Sequence, residues 1–113
     1  MNLTTSLVDG TAVIQVNEAR LTSPMLSDFA AAASGLISRG TDRLVIDLSA
    51  VGYVDSATIG LLMDLYRQAT AAGGSVKLAG VQKRVETMLT MTGAHQFLEL
   101  HQDRASALSS FGG

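Results

Sequence analysis

The chain has no cysteine and no long apolar run, and each absence excludes a class of protein. Without cysteine among its 113 residues, it has neither a disulfide framework nor a thiolate metal site, which fits a reducing cytoplasm. No apolar stretch approaches the ~20 residues that span a bilayer, and residues 1–7 lack the basic and apolar parts of a secretion signal. We therefore expect a cytoplasmic protein that does not insert into a membrane.

Charge, histidine and glycine patterns exclude further functions. A net charge of −2 lacks the basic excess of nucleic-acid-binding proteins. His95 and His101 are the only histidines, and without cysteine or regularly spaced carboxylates they predict no metal site. The sequence has no Gly-x-Ser-x-Gly elbow of the serine hydrolases. Gly73-Gly74-Ser75 precedes a strand, whereas a phosphate-binding loop follows a strand and opens a helix. We expect a protein that is not an enzyme and has no cofactor.

Hydrophobic patterning predicts strands that alternate with helices. Asp9-Gly10 is typical of a hairpin turn, Ser23 and Pro24 of a helix N-cap and first helical residue, and Gly40 of a helix end. The predicted strands cover residues 4–7, 11–16, 44–46, 76–79 and 97–100, and the later helices residues 57–72, 81–92 and 104–111. Such alternation favours an α/β fold with a small, mostly parallel sheet of four to five strands, an opening antiparallel hairpin and about four helices. We expect one domain over residues 1–113.

The segment from Val45 to Gly60 is the most informative part of the sequence. It predicts a buried strand, a short turn and then Ser56 at the start of a helix. A helix start has unpaired backbone N–H groups and the positive end of the helix dipole, which favour a phosphate. Two interpretations of Ser56 stay open: an N-cap, or a site where phosphorylation acts as a switch.

The exposed side of the same helix carries the other candidates. On a helical wheel Ala57, Gly60 and Asp64 lie opposite a broad apolar arc. Glycine inside a helix costs roughly 1 kcal/mol relative to alanine, so Gly60 indicates either a close approach by a partner or close packing against a neighbouring loop. Asp55 either orients the Ser56 hydroxyl, pairs with a basic residue of a partner, or bonds its own backbone in the turn. Asp55 and Asp64 together predict an acidic surface around Ser56.

Two further predictions concern the interior. Met63, Met88 and Met91 are most simply core residues. Asp47 lies in an otherwise apolar strand, which predicts a structural partner near the end of that strand.

The same part of the chain resembles the STAS family, the fold of the anti-sigma factor antagonists. The family has a strand similar to V-I-D-L-S and then a hydrophobic-D-S-x-G-hydrophobic-G motif that opens a helix; residues 45–49 and 54–60 match these. Residues 85–93 resemble the family's late helix, and residues 97–100 its last strand. Two positions depart from the pattern: Thr58 replaces the first motif glycine, and residues 21–24 stand where the family often has an acidic residue.

The resemblance implies a bacterial anti-sigma factor antagonist that regulates transcription and is phosphorylated on Ser56. Its unphosphorylated form would bind an anti-sigma factor that is also a serine kinase, and so free a sigma factor. A serine phosphatase would restore the form that binds. The expected partner contacts are Thr22, Asp55, Ser56, Ala57, Thr58, Gly60 and Asp64. The alternative that stays open is a STAS-like subunit of a membrane lipid-transport complex, which docks on another protein without being switched.

Overall fold

The computed structural model describes residues 1–111, and these form an α/β fold, as predicted. The strands are β1 (Leu3–Val8), β2 (Thr11–Val16), β3 (Arg20–Leu21), β4 (Arg43–Asp47), β5 (Tyr53–Val54), β6 (Ser75–Ala79) and β7 (Glu99–His101). The helices are α1 (Leu26–Ser38), α2 (Ser56–Ala71), α3 (Lys83–Thr92) and α4 (Arg104–Ser110), with 3₁₀ turns at Ser23–Met25 and Ala94–Gln96. The predicted single domain also includes residues 112–113, which lie outside the described part of the chain.

Five of these strands form one sheet in the order β1-β2-β4-β6-β7. β1 and β2 are antiparallel, and all the other neighbours are parallel, which confirms the predicted topology. Asp9 and Gly10 make the hairpin turn with φ angles of 50° and 82°. Positive φ at both central residues is the requirement of a type I′ turn, which asparagine, aspartate and glycine meet most readily.

The two faces of the sheet are covered unequally. The main core lies on the face that packs against α1, α2 and α3, and its largest side chains include Phe29, Leu44, Ile46, Leu62, Leu65, Leu78 and Leu89. The other face holds a small cluster of Val13, Val45, Ala79 and Ala107, closed by α4 alone. Because β4 is buried on both faces, it has an uninterrupted apolar run rather than an alternating one.

Polar contacts hold α4 against the sheet at both of its ends. Arg104, the first residue of α4, places Nη2 2.9 Å from Asp47 Oδ2 and 2.9 Å from Gln15 Oε1. At the other end, Lys77 Nζ lies 2.6 Å from Ser110 Oγ. The structural partner predicted for Asp47 is therefore Arg104, which reaches the end of β4 from 57 residues further along the chain.

The environment of Asp47 changes its acidity. Burial by itself would raise the pKa of Asp47, but hydrogen bonds from Ser49 and the Arg104 guanidinium outweigh burial, so the pKa lies below its ordinary value. Asp47 is thus charged in the folded protein, and this charge helps to fix α4.

The start of the first helix differs from the prediction. Thr22 is the cap of the 3₁₀ turn that leads into α1, with an extended backbone at φ −133° and ψ 166°. Ser23 is already inside that turn and Pro24 is its second residue, so the prediction of Ser23 as the N-cap is wrong. The backbone N–H of Ser23, which has no partner inside the turn, donates instead to the carboxylate of Asp55 at 2.8 Å.

Candidate functional site

A two-stranded parallel sheet of β3 and β5 leads the chain into α2. It pairs Arg20 with Tyr53 and Leu21 with Val54. Each strand has only two residues, too short for any hydrophobic pattern to predict it. This pairing brings the segment before α1 beside the turn before α2, and so places Thr22 and Ser23 next to Asp55.

Asp55 is the N-cap of α2 and joins two parts of the chain. Its Oδ1 accepts a hydrogen bond from the Thr58 backbone N–H at 2.9 Å, and its Oδ2 accepts the bond from Ser23. Ser56 is the first helical residue. The interpretation of Ser56 as the N-cap is therefore wrong, because the neighbouring carboxylate already satisfies the N–H three residues into the helix.

The hydrogen bonds to Asp55 also change its acidity. Partial burial would raise the pKa of Asp55, but the hydrogen bonds from Thr58 and Ser23 outweigh it, so the pKa lies below the ordinary value. Of the roles considered for Asp55, the structure shows the backbone-bonding one. The carboxylate is engaged by Thr58 and Ser23 rather than by the Ser56 hydroxyl.

Thr58 is buried in the interior, with no exposed surface. Its Oγ1 lies 2.7 Å from both the Leu21 carbonyl oxygen and Asp55 Oδ1, so its one hydroxyl proton serves either acceptor. The expectation that Thr58 contacts a partner is therefore wrong for its side chain. The residue at the position of the family glycine thus joins β3 to α2 and contributes nothing to the surface.

Ser56, Ala57, Gly60 and Asp64 are exposed, whereas Thr22 and Asp55 are half-buried. A Cβ added at Gly60 would have no atom within 4 Å, so the alternative of close packing against a neighbouring loop is excluded. Ser56, Ala57, Gly60 and Asp64 form one side of α2, on which Ala57 and Gly60 are small. We call these four residues the α2 surface.

Ser56 also lies at the rim of a groove between α2 and α3, which we call the α2–α3 groove. Its volume is about 420 Å³, and its lining is Tyr53, Val54, Asp55, Ser56, Ile59, Met88, Met91 and Thr92. Met91 is 81% exposed, so the prediction of Met91 as a core residue is wrong, whereas Met63 and Met88 do pack against the main core. The spacing of Met88, Met91 and Thr92 on one side of a helix is the signal that could have indicated this wall of the groove.

Two arginines lie at one end of the groove, which the sequence did not predict. The Arg20 guanidinium carbon lies 4.3 Å and that of Arg84 5.6 Å from the centroid of the Tyr53 ring, within the range of a cation–π contact. Asp64 pairs with Arg67, and Asp55 is engaged as a cap. The two carboxylates of the predicted acidic surface thus have local partners, and two arginines lie at the Tyr53 end of the groove.

Within residues 1–111, no three histidine or acidic side chains come together as a metal site would require. No helix in this part of the chain has the length and apolarity needed to cross a membrane.

Comparison with known proteins places this geometry in a family. A family model described as "Mlab, STAS domain" matches residues 3–102. A candidate anti-sigma factor antagonist of Thermotoga neapolitana is 23% identical over 77 residues, which cover 68% of each chain.

Solved structures share the fold. An anti-sigma-factor antagonist (STAS) domain protein of Planctomyces limnophilus superposes with a TM-score of 0.89 at 18% identity, over 98% of each chain. The Bacillus cell fate determinant SpoIIAA in its phosphorylated form has a TM-score of 0.76 at 17% identity, over 97% of this chain and 99% of that one. The murine anion transporter Slc26a9 has a TM-score of 0.72 at 17% identity, over 91% of this chain and 18% of the transporter. Because the family model matches residues 3–102 of the 113-residue chain, the chain belongs to the STAS domain family.

Proposed function

We propose that this protein is an anti-sigma factor antagonist whose binding to its partner is ended by phosphorylation of Ser56. The observation that carries the proposal is the position of Ser56: its side chain is exposed, it is the first residue of α2, and it lies at the rim of the α2–α3 groove. The similarity to anti-sigma factor antagonists supports the same interpretation. SpoIIAA is one of them, and its structure is known in both the unphosphorylated and the phosphorylated form.

In this proposal the partner is an anti-sigma factor that is also a serine kinase and supplies the ATP. The Ser56 Oγ attacks the γ-phosphorus, the bond from that phosphorus to the β,γ-bridging oxygen breaks, and ADP leaves. The hydroxyl proton passes to a base of the partner. This chain acts as the substrate and binding module rather than as the enzyme, and a serine phosphatase reverses the modification by hydrolysis.

The start of α2 is able to hold the phosphate without unfolding. The backbone N–H groups of Ser56 and Ala57 have no partner inside the helix, and the helix dipole favours an anion there. Thr58 is not part of this arrangement, because its backbone N–H is already bonded to Asp55. We therefore expect the phosphorylated domain to keep its fold.

Loss of binding then arises at the surface. The proposed contact consists of the α2 surface together with the half-buried Thr22 and Asp55, and the small residues Ala57 and Gly60 let the partner approach closely. A phosphoserine adds a charge of about −1.5 to −2. Burying that charge against a partner surface that fits the neutral hydroxyl costs several kcal/mol.

A second candidate is a docking subunit of a membrane transport complex, which binds through the same surface without being switched. The fold shared with part of the anion transporter Slc26a9 favours it. In that case the partner is a transporter protein and Ser56 stays unmodified.

The deciding experiment incubates the purified protein with purified products of its neighbouring genes and ATP, and then maps phosphate by mass spectrometry. We expect one phosphate, on Ser56, from a kinase that also binds the unmodified protein. Ser56→Ala should bind and resist phosphorylation, with little loss of stability because Asp55 remains as the cap. Stable binding to a transporter ATPase, without phosphorylation by any of these proteins, would instead support the docking subunit.

A further inference from the structure

We infer that the protein forms a homodimer in which β1 of one copy pairs antiparallel with β1 of a second copy. β1 is the outermost strand of the main sheet, so one of its two sides has no strand beside it. An edge strand of this kind can pair with another chain unless something blocks it. This inference is independent of the proposed function, because β1 contributes no residue to the α2–α3 groove.

The two edges of the sheet differ in how they are protected. β7, the opposite edge, has three residues and carries Glu99, whose carboxylate lies 3.5 Å from Lys77 Nζ. β1 has six residues, Leu-Thr-Thr-Ser-Leu-Val, without a charge or a proline, and its register with β2 has no bulge. β1 therefore lacks the features that commonly prevent edges from pairing.

Exposed apolar side chains are concentrated at β1. Within the described residues the exposed large hydrophobic side chains are Met1, Leu7, Val8, Met91 and Phe97. Leu7, which is 65% exposed, and Val8, which is 40% exposed, lie on β1, and Met1 is two residues before it. Each of them would lose exposed surface if another strand were added.

The register of the hairpin shows which backbone groups face outward. In a two-residue hairpin the pair that closes the turn, here Val8 and Thr11, exchanges hydrogen bonds with each other, and bonded pairs then alternate along the strands. The bond from the Asn17 N–H to the Asn2 carbonyl at 2.9 Å fits this alternation. Leu3, Thr5 and Leu7 therefore direct their N–H and C=O groups away from β2, toward the open edge.

The sequence of β1 is close to a palindrome about Thr5, and this favours a second copy as the occupant. Residues 3–7 read Leu-Thr-Thr-Ser-Leu. A two-fold axis at Thr5 places Thr5 opposite Thr5, and Leu3 opposite Leu7 of the other copy. These are the residues whose backbone groups point outward. The two strands therefore form three bonded pairs with about six N–H to C=O hydrogen bonds between them. The result is an isologous dimer with one continuous sheet.

Two measurements test this dimer on the full chain. Sedimentation velocity over a range of concentrations up to about 1 mM should show a reversible monomer–dimer equilibrium. Thr5→Pro, which removes an outward N–H at the centre of the edge, should weaken the dimer at least about tenfold. Thr5→Lys places like charges directly opposite each other and should also weaken the dimer. This variant provides the test if Thr5→Pro fails to fold.

Because the chain has no cysteine, single cysteine variants report one position each. A short bismaleimide should link Thr5→Cys into a covalent dimer, whereas Thr70→Cys, exposed on α2, should stay monomeric under the same conditions. A protein that stays monomeric at all concentrations would overturn the inference. A dimer that survives Thr5→Lys, or that links through Thr70→Cys but not Thr5→Cys, would also overturn it.

Discussion

The starts of α2 and α4 use the same cap for different purposes. Each helix is preceded by an aspartate in extended conformation, Asp55 or Asp103, whose side chain accepts a hydrogen bond from the backbone N–H three residues later. The difference lies in the first helical residue. Arg104 turns toward the sheet and pairs with Asp47, whereas Ser56 is exposed at the rim of the α2–α3 groove. The aspartate cap is thus a general device, and the residue after it decides whether the helix start anchors the fold or faces a partner.

We expect a charge at the start of α2 to reduce partner binding strongly, and a charge at the start of α4 to leave it unaffected. Ser56→Asp should weaken binding to the anti-sigma partner by several kcal/mol, because a carboxylate is placed where the partner fits a neutral hydroxyl. Isothermal titration calorimetry with the purified partner measures it. The matched control is Ser106→Asp, which adds the same charge to the capped and exposed start of α4 and should leave the affinity unchanged. Equal losses from both variants would mean that net charge, rather than the α2 surface, controls binding.

Next in size is the contrast between the two caps themselves. Asp55→Ala should lower the free energy of unfolding by about 2 kcal/mol, because it releases both the Thr58 and the Ser23 backbone N–H groups. Asp103→Ala releases only the Ser106 N–H and should cost clearly less. Urea denaturation followed by circular dichroism compares the two. A larger loss for Asp103→Ala would show that the join between β3 and α2 contributes little.

Acid should reveal the anchoring role of the α4 start. The folded pKa of Asp47 lies below its value of 3.8 in an unfolded chain. At pH values between these two pKa values, the unfolded chain therefore binds more protons than the folded one. The stabilisation is present above pH 3.8 and is lost as the pH falls through the folded pKa. Arg104→Gln should lower the free energy of unfolding at neutral pH by about 1 kcal/mol, a modest loss because the Arg104 side chain is partly exposed. The free energy of unfolding of this variant should also fall less steeply as the pH is lowered. Unfolding curves measured from about pH 7 to about pH 2 test this. The same fall in the free energy of unfolding at low pH for the variant and the unmodified protein would contradict it.

A modest change in stability is expected at Gly60, on the α2 surface. Gly60→Ala should raise the free energy of unfolding by about 0.5–1 kcal/mol, because the added Cβ meets nothing and the helix gains propensity. The control is Gly35→Ala in α1, where the Cβ meets only the tip of Arg39 at 3.2 Å. If the partner packs closely on the α2 surface, Gly60→Ala weakens binding and Gly35→Ala does not. Unchanged affinity for both would exclude Gly60 from the contact.

The features that could be predicted from the sequence are local or periodic. The hairpin at Asp9-Gly10, the doubly buried β4, the exposed side of α2 and the need of Asp47 for a partner all follow from residue type and spacing. The STAS resemblance likewise rests on short continuous motifs, the main one around Ser56 and the others at residues 85–93 and 97–100. Such features are readable because the residues that cause them are neighbours along the chain.

Contacts between residues that are far apart in the sequence depend on the tertiary structure and could not be predicted. The tertiary structure joined the carboxylate of Asp55 to the backbone of Ser23, 32 residues away. It also buried Thr58 against the carbonyl of Leu21 and brought Arg20 and Arg84 to Tyr53. It also left Met91 on the surface as a wall of the groove. These outcomes depend on how the helices and the two-residue strands β3 and β5 pack. Packing selects hydrogen-bond partners and exposed faces by three-dimensional proximity, and no periodicity along the chain encodes that proximity.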